Sequence, residues 1–197
     1  MPKGIPLTEE GQDRRRHEIF DAVVPLILEK GFAETSMREI AAAAGVGKST
    51  LYDYFPTKED VLVFIFEEEF NELNHQALDI AAMDLPAAER LHRIMHTHLG
   101  FLVKNKSLLL FLSQEVQRLS QNSQRRIQIK RHAYQDMLRS IVEQGIAEGS
   151  FRPVDATMTS KLLLATMTPV VFTTRPVGTP QEMLAQSLDI LLNGLQV

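Results

Sequence analysis

The chain has 197 residues, 44% of them hydrophobic and 23% charged, with a formal net charge of −4 and no cysteine. This is enough apolar material for one large domain or two small ones, and it excludes a disordered or low-complexity chain. The absence of cysteine excludes disulfides, thiol catalysis and Cys-ligated zinc, and it fits a reducing compartment. No apolar run approaches the roughly 18 residues of a membrane span; the candidate LLLFL at 108–112 is far too short. MPKGIPLTEEGQDRRR lacks the apolar centre of a signal peptide. The expectation is a soluble, cytoplasmic protein with no membrane partner, cofactor or metal. Residues 1–60 carry 8 Lys and Arg against 11 Asp and Glu, so any contact with nucleic acid rests on a local basic patch.

Helical periodicity dominates, and no run alternates as a strand does. The first predicted helix spans about 9–30. Ile19, Phe20, Val23, Leu26 and Ile27 recur at helical spacing, and Gly31 follows as a C-terminal cap. Pro25 lies inside this helix and removes a backbone hydrogen bond at a cost of about 3 kcal/mol. A kink or irregular turn is therefore expected near 21–25. Ser36-x-x-Glu39 is a capping box opening a short second helix through Ile40 and 41–44. Gly45 ends it. A third short helix, about 47–54, carries Leu51 inward, with Phe55 just past its end and Pro56 closing it. Thr57-x-x-Asp60 resembles a second capping box and opens a long fourth helix, about 58–82, with Val61, Leu62, Ile65, Phe66, Phe70 and Leu73 as apolar members.

Pro86 suits the first turn of a fifth helix running to about Lys104. Further helices are predicted at about 107–120, 123–148, 155–174 and 180–195. EGSFRPVD (148–155) and RPVGTP (175–180) read as turns. The fold class is all-α with about nine helices. Residues 155–197 hold only Asp155, Lys161, Arg175, Glu182 and Asp189 as charged side chains. Leu184, Leu188, Leu191 and Leu195 form a stripe at i, i+4, i+7 and i+11. Met158, Leu162, Leu163, Met167 and Val170 give the preceding helix a similar face. Such a pair is either a core pair inside one subunit or a surface that docks on its copy. Periodicity does not choose between them.

The stretch AAAAGVGKSTLYDYF, 41–55, contains A-x-x-x-x-G-K-S, a relaxed phosphate-loop pattern ending in Gly47, Lys48 and Ser49. A phosphate loop needs a strand before it. SMREIAAAA, an alanine-rich stretch behind a capping box, is helix. Ala42 also stands where a glycine without Cβ is wanted. Nucleotide binding through Lys48 is the weaker reading. The same residues suit a helix-turn-helix, whose second helix enters the DNA major groove. Ala41 and Ala44 let two helices cross closely, while Val46 and Leu51 hold the crossing. Lys48, Ser49, Thr50, Tyr52 and Tyr54 are left on or near the outer side.

KGFAETSMREIAAAAGVGKSTLYDYFPTKEDVL, 30–62, resembles the DNA-binding domain of TetR-family transcriptional regulators. The shared elements are Lys-Gly-Phe, Thr-Ser, Ile-Ala, Ala-Gly-Val, Thr-Leu-Tyr, Tyr-Phe and Lys-Glu. The resemblance covers about a third of the chain. It departs from the family at Gly47, where serine is frequent, and at Ser49, where glycine is frequent. It implies an all-α homodimer with a three-helix DNA-binding domain at 1–58 and an effector-binding and dimerisation domain at 59–197. It also implies a four-helix interface from the last two helices of each subunit, through Leu162, Met167, Val170, Leu184, Leu188, Leu191 and Leu195. The implied DNA contacts are Thr35, Ser36, Arg38, Lys48, Ser49, Thr50, Tyr52, Tyr54 and Lys58. Arg14, Arg15 and Arg16 either steady the DNA backbone or form a solvated helix start.

Glu89, His92 and His96 share one polar edge of the fifth helix, a spacing compatible with a metal and more simply read as a wet face. His98 falls among Leu91, Ile94, Met95 and Leu102. It is either a satisfied core histidine or a polar anchor in an effector pocket, with Met95, Leu102, Phe111, Tyr134 and Met137 as companions. In RRIQIKRHAYQDMLR, 125–139, the basic residues read as a solvated face, with Ile127, Tyr134, Met137, Leu138 and Ile141 turned inward. SQEVQRLSQNSQRR, 113–126, is loosely similar to acyl-CoA-responsive members of the family. The leading expectation is a ligand-responsive regulator rather than an enzyme. It is read as a repressor released from palindromic double-stranded operator DNA when a small apolar effector binds. The rivals are a nucleotide-binding protein using Lys48 and a metal-binding enzyme using Glu89, His92 and His96.

Overall fold

The structure, a computed structural model, describes residues 9–193 apart from the side chains of Glu9, Glu10 and Asp13. Among the described residues the chain forms α1 (Glu9–Lys30), α2 (Met37–Ala43), α3 (Lys48–Tyr54), α4 (Lys58–Ala81), α5 (Ala87–Lys104), α6 (Lys106–Glu115), α7 (Gln121–Ala147), α8 (Ala156–Val171) and α9 (Pro180–Asn193), with a 3-10 turn at Val116–Arg118 and no strand. The all-α expectation holds. The helix starts follow local chemistry: Ser36 and Glu39 form the expected capping box at α2, and Asp155 caps α8 by accepting from the Met158 N–H. Gly31 ends α1, its N–H donating to the Ile27 carbonyl at 2.9 Å.

Pro25 does not divide the first helix, since α1 runs unbroken from Glu9 to Lys30. Asp21 and Pro25 are both exposed. Water can therefore satisfy the carbonyl that loses its i+4 donor.

The chain separates into two compact units. The first comprises the described residues up to Phe66 together with Leu110–Gln124. Its buried apolar residues include Ile19, Val23 and Ile27 of α1, Ile40 of α2, Leu51 of α3, Phe55, and Leu62 of α4. The second comprises Glu67–Leu109 and the described residues from Arg125 onward. Its core joins Leu73, Ala77, Leu91, Ile94, Leu99, Leu138, Leu163 and Leu184 with their neighbours. Arg90, 8% exposed, fastens one corner of that unit. It donates to the Ala81 carbonyl at 3.0 Å and to Gln144 Oε1 at 2.9 Å.

The C-terminal stripe requires a correction. Met167, Val170, Leu184 and Leu188 are 0–3% exposed and belong to the core of the second unit, with half-buried Leu191 packed against it. Residues without free surface inside their own subunit have none to bury against a copy. Of the predicted interface set, Leu162 is exposed at 47%, and Leu195 lies outside the described residues. The outer face of α8 is instead Met158, Leu162, Ala165 and Pro169, all exposed at i, i+4, i+7 and i+11. Both faces of α8 are apolar, so the hydrophobic period alone fits either one.

Candidate functional site

In the first unit α2 and α3 are joined by a turn in which Gly45 has φ +62°, the left-handed region that other residues resist. The Gly45 N–H donates to Ala42 O and the Val46 N–H to Ala41 O, at 3.2 and 2.9 Å. These bonds close the end of α2 in the pattern of a glycine C-cap. Two residues later α3 begins. Leu51 and Phe55, 0% and 3% exposed, anchor its inner side. The Phe55 ring lies 5.2 Å from Phe64 of α4.

The outer side of α3 carries Lys48, Ser49 and Tyr52, all exposed, with Thr50 and Tyr54 half-buried at its flanks. The Lys48 ammonium lies 5.8 Å from the Tyr52 ring centroid. Ser36 and Arg38 are exposed at the start of α2. Ser36 donates its hydroxyl to Glu39 at 2.7 Å. Glu39 also pairs with Lys30, and the Lys30 and Ser36 hydrogen bonds pull its pKa down to about 2. Among the helix-start arginines, Arg15 pairs with Glu18 at 2.6 Å.

Two predicted contacts have other work. Thr35 is 1% exposed and donates its hydroxyl to the Gly31 carbonyl at 2.7 Å. It therefore shapes the turn between α1 and α2 instead of facing solvent. Lys58 is half-buried. It donates to the Phe32 and Ala33 carbonyls at 2.8 and 3.0 Å and lies 4.6 Å from the Phe32 ring centroid. Two of its three ammonium donors thus tie the start of α4 to the loop before α2.

The adjacent Glu59 was not anticipated from sequence. It accepts from the Ser120 N–H at 3.2 Å, the Ser120 hydroxyl at 2.7 Å and the Ser123 hydroxyl at 2.8 Å. These bonds, the Ser120 hydroxyl foremost, hold its carboxyl below the usual range. The partners lie 61 and 64 positions away, so no local pattern announces them.

In the second unit a cavity of about 480 Å³ is lined by Phe70, Leu73, His98, Gln128, Arg131, His132, Tyr134, Gln135 and Leu164. Of the predicted pocket set, His98 and Tyr134 are there. They are hydrogen-bonded through Nδ1 and the phenol oxygen at 3.2 Å, with their rings edge-on at 5.2 Å. Met95, Leu102 and Met137 belong to or pack on the core of this unit and do not line the cavity. Phe111 falls in the other unit. Gln128, Arg131, His132 and Gln135 recur at i, i+3, i+4 and i+7. That spacing marks one face of α7, but a polar face lining a cavity and a polar face in solvent read alike.

Neither rival site takes shape. Lys48 opens a helix that follows another helix, so the strand a phosphate loop requires is missing. Glu89 pairs with Arg93 at 2.8 Å, His92 and His96 are exposed and half-buried, and no metal-holding group of three His, Asp or Glu occurs among the described residues.

Comparison with known proteins agrees with this geometry. Residues 19–63 match the profile described as bacterial regulatory proteins, tetR family, and 84–195 match the tetracyclin repressor-like C-terminal domain. The fatty acid metabolism regulator protein of Bacillus subtilis is 25% identical over 182 residues, spanning 90% of this chain and 94% of that protein. The HTH-type transcriptional repressor KstR2 of Rhodococcus jostii is 28% identical over 189 residues, spanning 94% and 93%. The fold is shared with the crystal structure of FadR from Bacillus subtilis in complex with stearoyl-CoA, at a TM-score of 0.79 and 23% identity over 91% of this chain and 99% of that one. A helix-turn-helix unit and a helical unit with a lined cavity define a ligand-responsive, DNA-binding transcriptional repressor. The chain belongs to the TetR family of transcriptional regulators.

Proposed function

We propose that residues 1–58 bind a palindromic operator and that 59–197 bind the effector and pair two subunits. The observation that carries this reading is the outer side of α3. Lys48, Ser49 and Tyr52 are exposed on a short helix whose inner side is anchored by buried Leu51 and by Phe55 just beyond it. A major groove reader needs this arrangement, with a rigid inner side and side chains of reach and hydrogen-bonding capacity outside. Lys48 meets a phosphate or a guanine edge. Ser49, Thr50, Tyr52 and Tyr54 meet backbone and bases. Ser36 and Arg38 contact the flanking backbone. Lys58 offers its remaining donor to a phosphate while holding the loop, and Thr35 acts through the turn it shapes.

Two copies, paired through α8 and α9, set the recognition helices about 34–36 Å apart, one turn of duplex. The effector binds better to the form with the wrong spacing and so releases DNA. An apolar effector is favoured by the Phe70, Leu73 and Leu164 walls of the cavity and by likeness to a regulator named for fatty acid metabolism. The protein acts in the cytoplasm, as a regulator and not an enzyme.

A gel shift against the chain's own upstream intergenic DNA tests this. The wild type is expected to shift it, and Lys48→Ala is expected to weaken binding across sequences. The slope of log affinity against log salt should fall by about two, one phosphate contact per half-site. A Lys48→Ala variant that bound as tightly, with an unchanged slope, would remove Lys48 from the interface.

A further inference from the structure

The cavity in the second unit is lined by a histidine with one ring nitrogen that makes no hydrogen bond to protein. His98 is 8% exposed, and its one hydrogen bond to protein joins Nδ1 to the Tyr134 hydroxyl. Tyr134 is 2% exposed, and both residues line the cavity. Nε2 is therefore left to whatever fills that space, and a ring nitrogen facing a cavity is available to bond a ligand there. If the Tyr134 hydroxyl donates to Nδ1, then Nε2–H is a free donor. If Nδ1–H donates to the phenol oxygen, then Nε2 accepts and the phenol hydrogen is free. Either way the pair supplies at least one donor and carries no charge, because burial pushes His98 down to about 4. The rest of the lining divides in two: Phe70, Leu73 and Leu164 are apolar, while Arg131 and His132 are exposed and flanked by Gln128 and Gln135. A volume of about 480 Å³ lies within the range of about 300–1,000 Å³ typical of small-molecule sites.

We propose that this cavity takes an oxygenated apolar acid, a molecule with a carboxylate at the Arg131 end, a hydrocarbon body along Phe70, Leu73 and Leu164, and an uncharged hydroxyl or carbonyl oxygen bonded to the His98–Tyr134 pair. The proposal rests on the reading of this chain as a ligand-responsive regulator and names the ligand chemistry of that site. The pair selects against two alternatives. A plain fatty acid offers nothing for Nε2 to bond inside the cavity, and a diacid places a second carboxylate beside a neutral pair with no countercharge. A site built to bond an oxygen rejects the analogue lacking it strongly.

Calorimetric titration of the full-length protein with 10-hydroxydecanoate, decanoate and decanedioate tests the assignment, with circular dichroism melts as a folding control. 10-Hydroxydecanoate is expected to bind at least tenfold tighter than either analogue. His98→Leu removes Nε2 and should bring hydroxydecanoate to the affinity of decanoate, while Tyr134→Phe, which leaves Nε2 in place, should narrow the preference. Arg131→Gln should weaken hydroxydecanoate and decanoate alike. Should His98→Leu fail to fold, Tyr134→Phe and His98→Gln carry the test. Equal affinity for hydroxydecanoate and decanoate in the wild type, or an undiminished preference in a folded His98→Leu or in both Tyr134→Phe and His98→Gln, overturns the proposal. So does failure of all three probes to bind while the upstream DNA is still shifted; that result leaves the regulator reading standing. Loss of the DNA shift in unliganded wild type overturns the regulator reading instead.

Discussion

At Gly47 the backbone already has the geometry of a helix N-cap, with φ −66° and ψ 148°, yet no side chain caps α3. A Cβ there would meet nothing nearer than Thr50 Oγ1 at 3.6 Å, an ordinary contact. Gly47→Ser is therefore expected to stabilise the fold by a few tenths of a kcal/mol, read as a higher urea midpoint with an unchanged slope. Glu69 is strained electrostatically instead. It is 7% exposed, its Oε2 has no hydrogen-bond partner, and burial, with Glu72 adding, lifts its pKa to about 7 against the opposing pull of Lys104. Between its ordinary 4.5 and about 7 the folded chain keeps a proton that the unfolded chain has released. The contribution of Glu69 to stability therefore falls as pH rises through that window and levels off above it, while buried His98, pushed down to about 4, contributes the opposite slope up to its ordinary 6.5. Glu69→Gln should melt with the wild type near pH 4.5. At pH 8 it should be more stable by about 1–2 kcal/mol, less than the full shift because solvent still reaches part of the carboxylate. A stability difference between Glu69→Gln and the wild type that stayed constant from pH 4.5 to 8 would contradict this.

The start of α4 gathers several attachments within one turn. Thr57 and Asp60 cap it through the Asp60 carboxylate, at 3.0 Å from the Thr57 N–H and 2.7 Å from its hydroxyl. Lys58 holds the loop before α2. Glu59 grips the start of α7, where Ser120 is the residue before Gln121. The Glu59 bonds are charge-assisted, which makes them stronger than neutral ones. Glu59→Ala should cost about 1–2 kcal/mol, read in thermal melts, and should expose the start of α7 to faster amide exchange. Unchanged exchange at 121–124 would show that α7 starts without this grip.

Among the described residues of the whole molecule, the outer stripe of α8 is an exposed apolar surface, Met158 at 54% and Leu162 at 47%, and α9 adds Ile190 at 52% and Leu192 at 40%. Leu162→Glu is expected to leave the melting temperature nearly unchanged, because Leu162 contributes little to its own core. On the proposed pairing through α8 and α9, it should shift the protein from dimer to monomer in sedimentation velocity and reduce operator affinity with it. A dimeric Leu162→Glu variant at micromolar concentration would move the interface elsewhere.

Much of this was legible in the chain because it depends on residues within four positions of each other. The Ser36–Glu39 capping box, the glycine turn at Gly45 and the inward Leu51 are of that kind, and together they determine a helix-turn-helix and not a phosphate loop. Local pattern was silent where two faces of a helix are chemically alike. The stripe of Leu184 and Leu188 turned inward, and the exposed stripe of α8 lay on the opposite side. It was also silent where a role depends on partners remote in sequence. Thr35 proved buried, Lys58 was drawn to the Phe32 and Ala33 carbonyls, and Glu59 met Ser120 and Ser123. The sequence by itself determined the helices, their caps and the DNA-reading motif, because hydrogen bonds along one helix are local. Tertiary packing alone decided which apolar face became core and which polar side chains share a cavity, because burial belongs to the arrangement of several helices and not to any one of them.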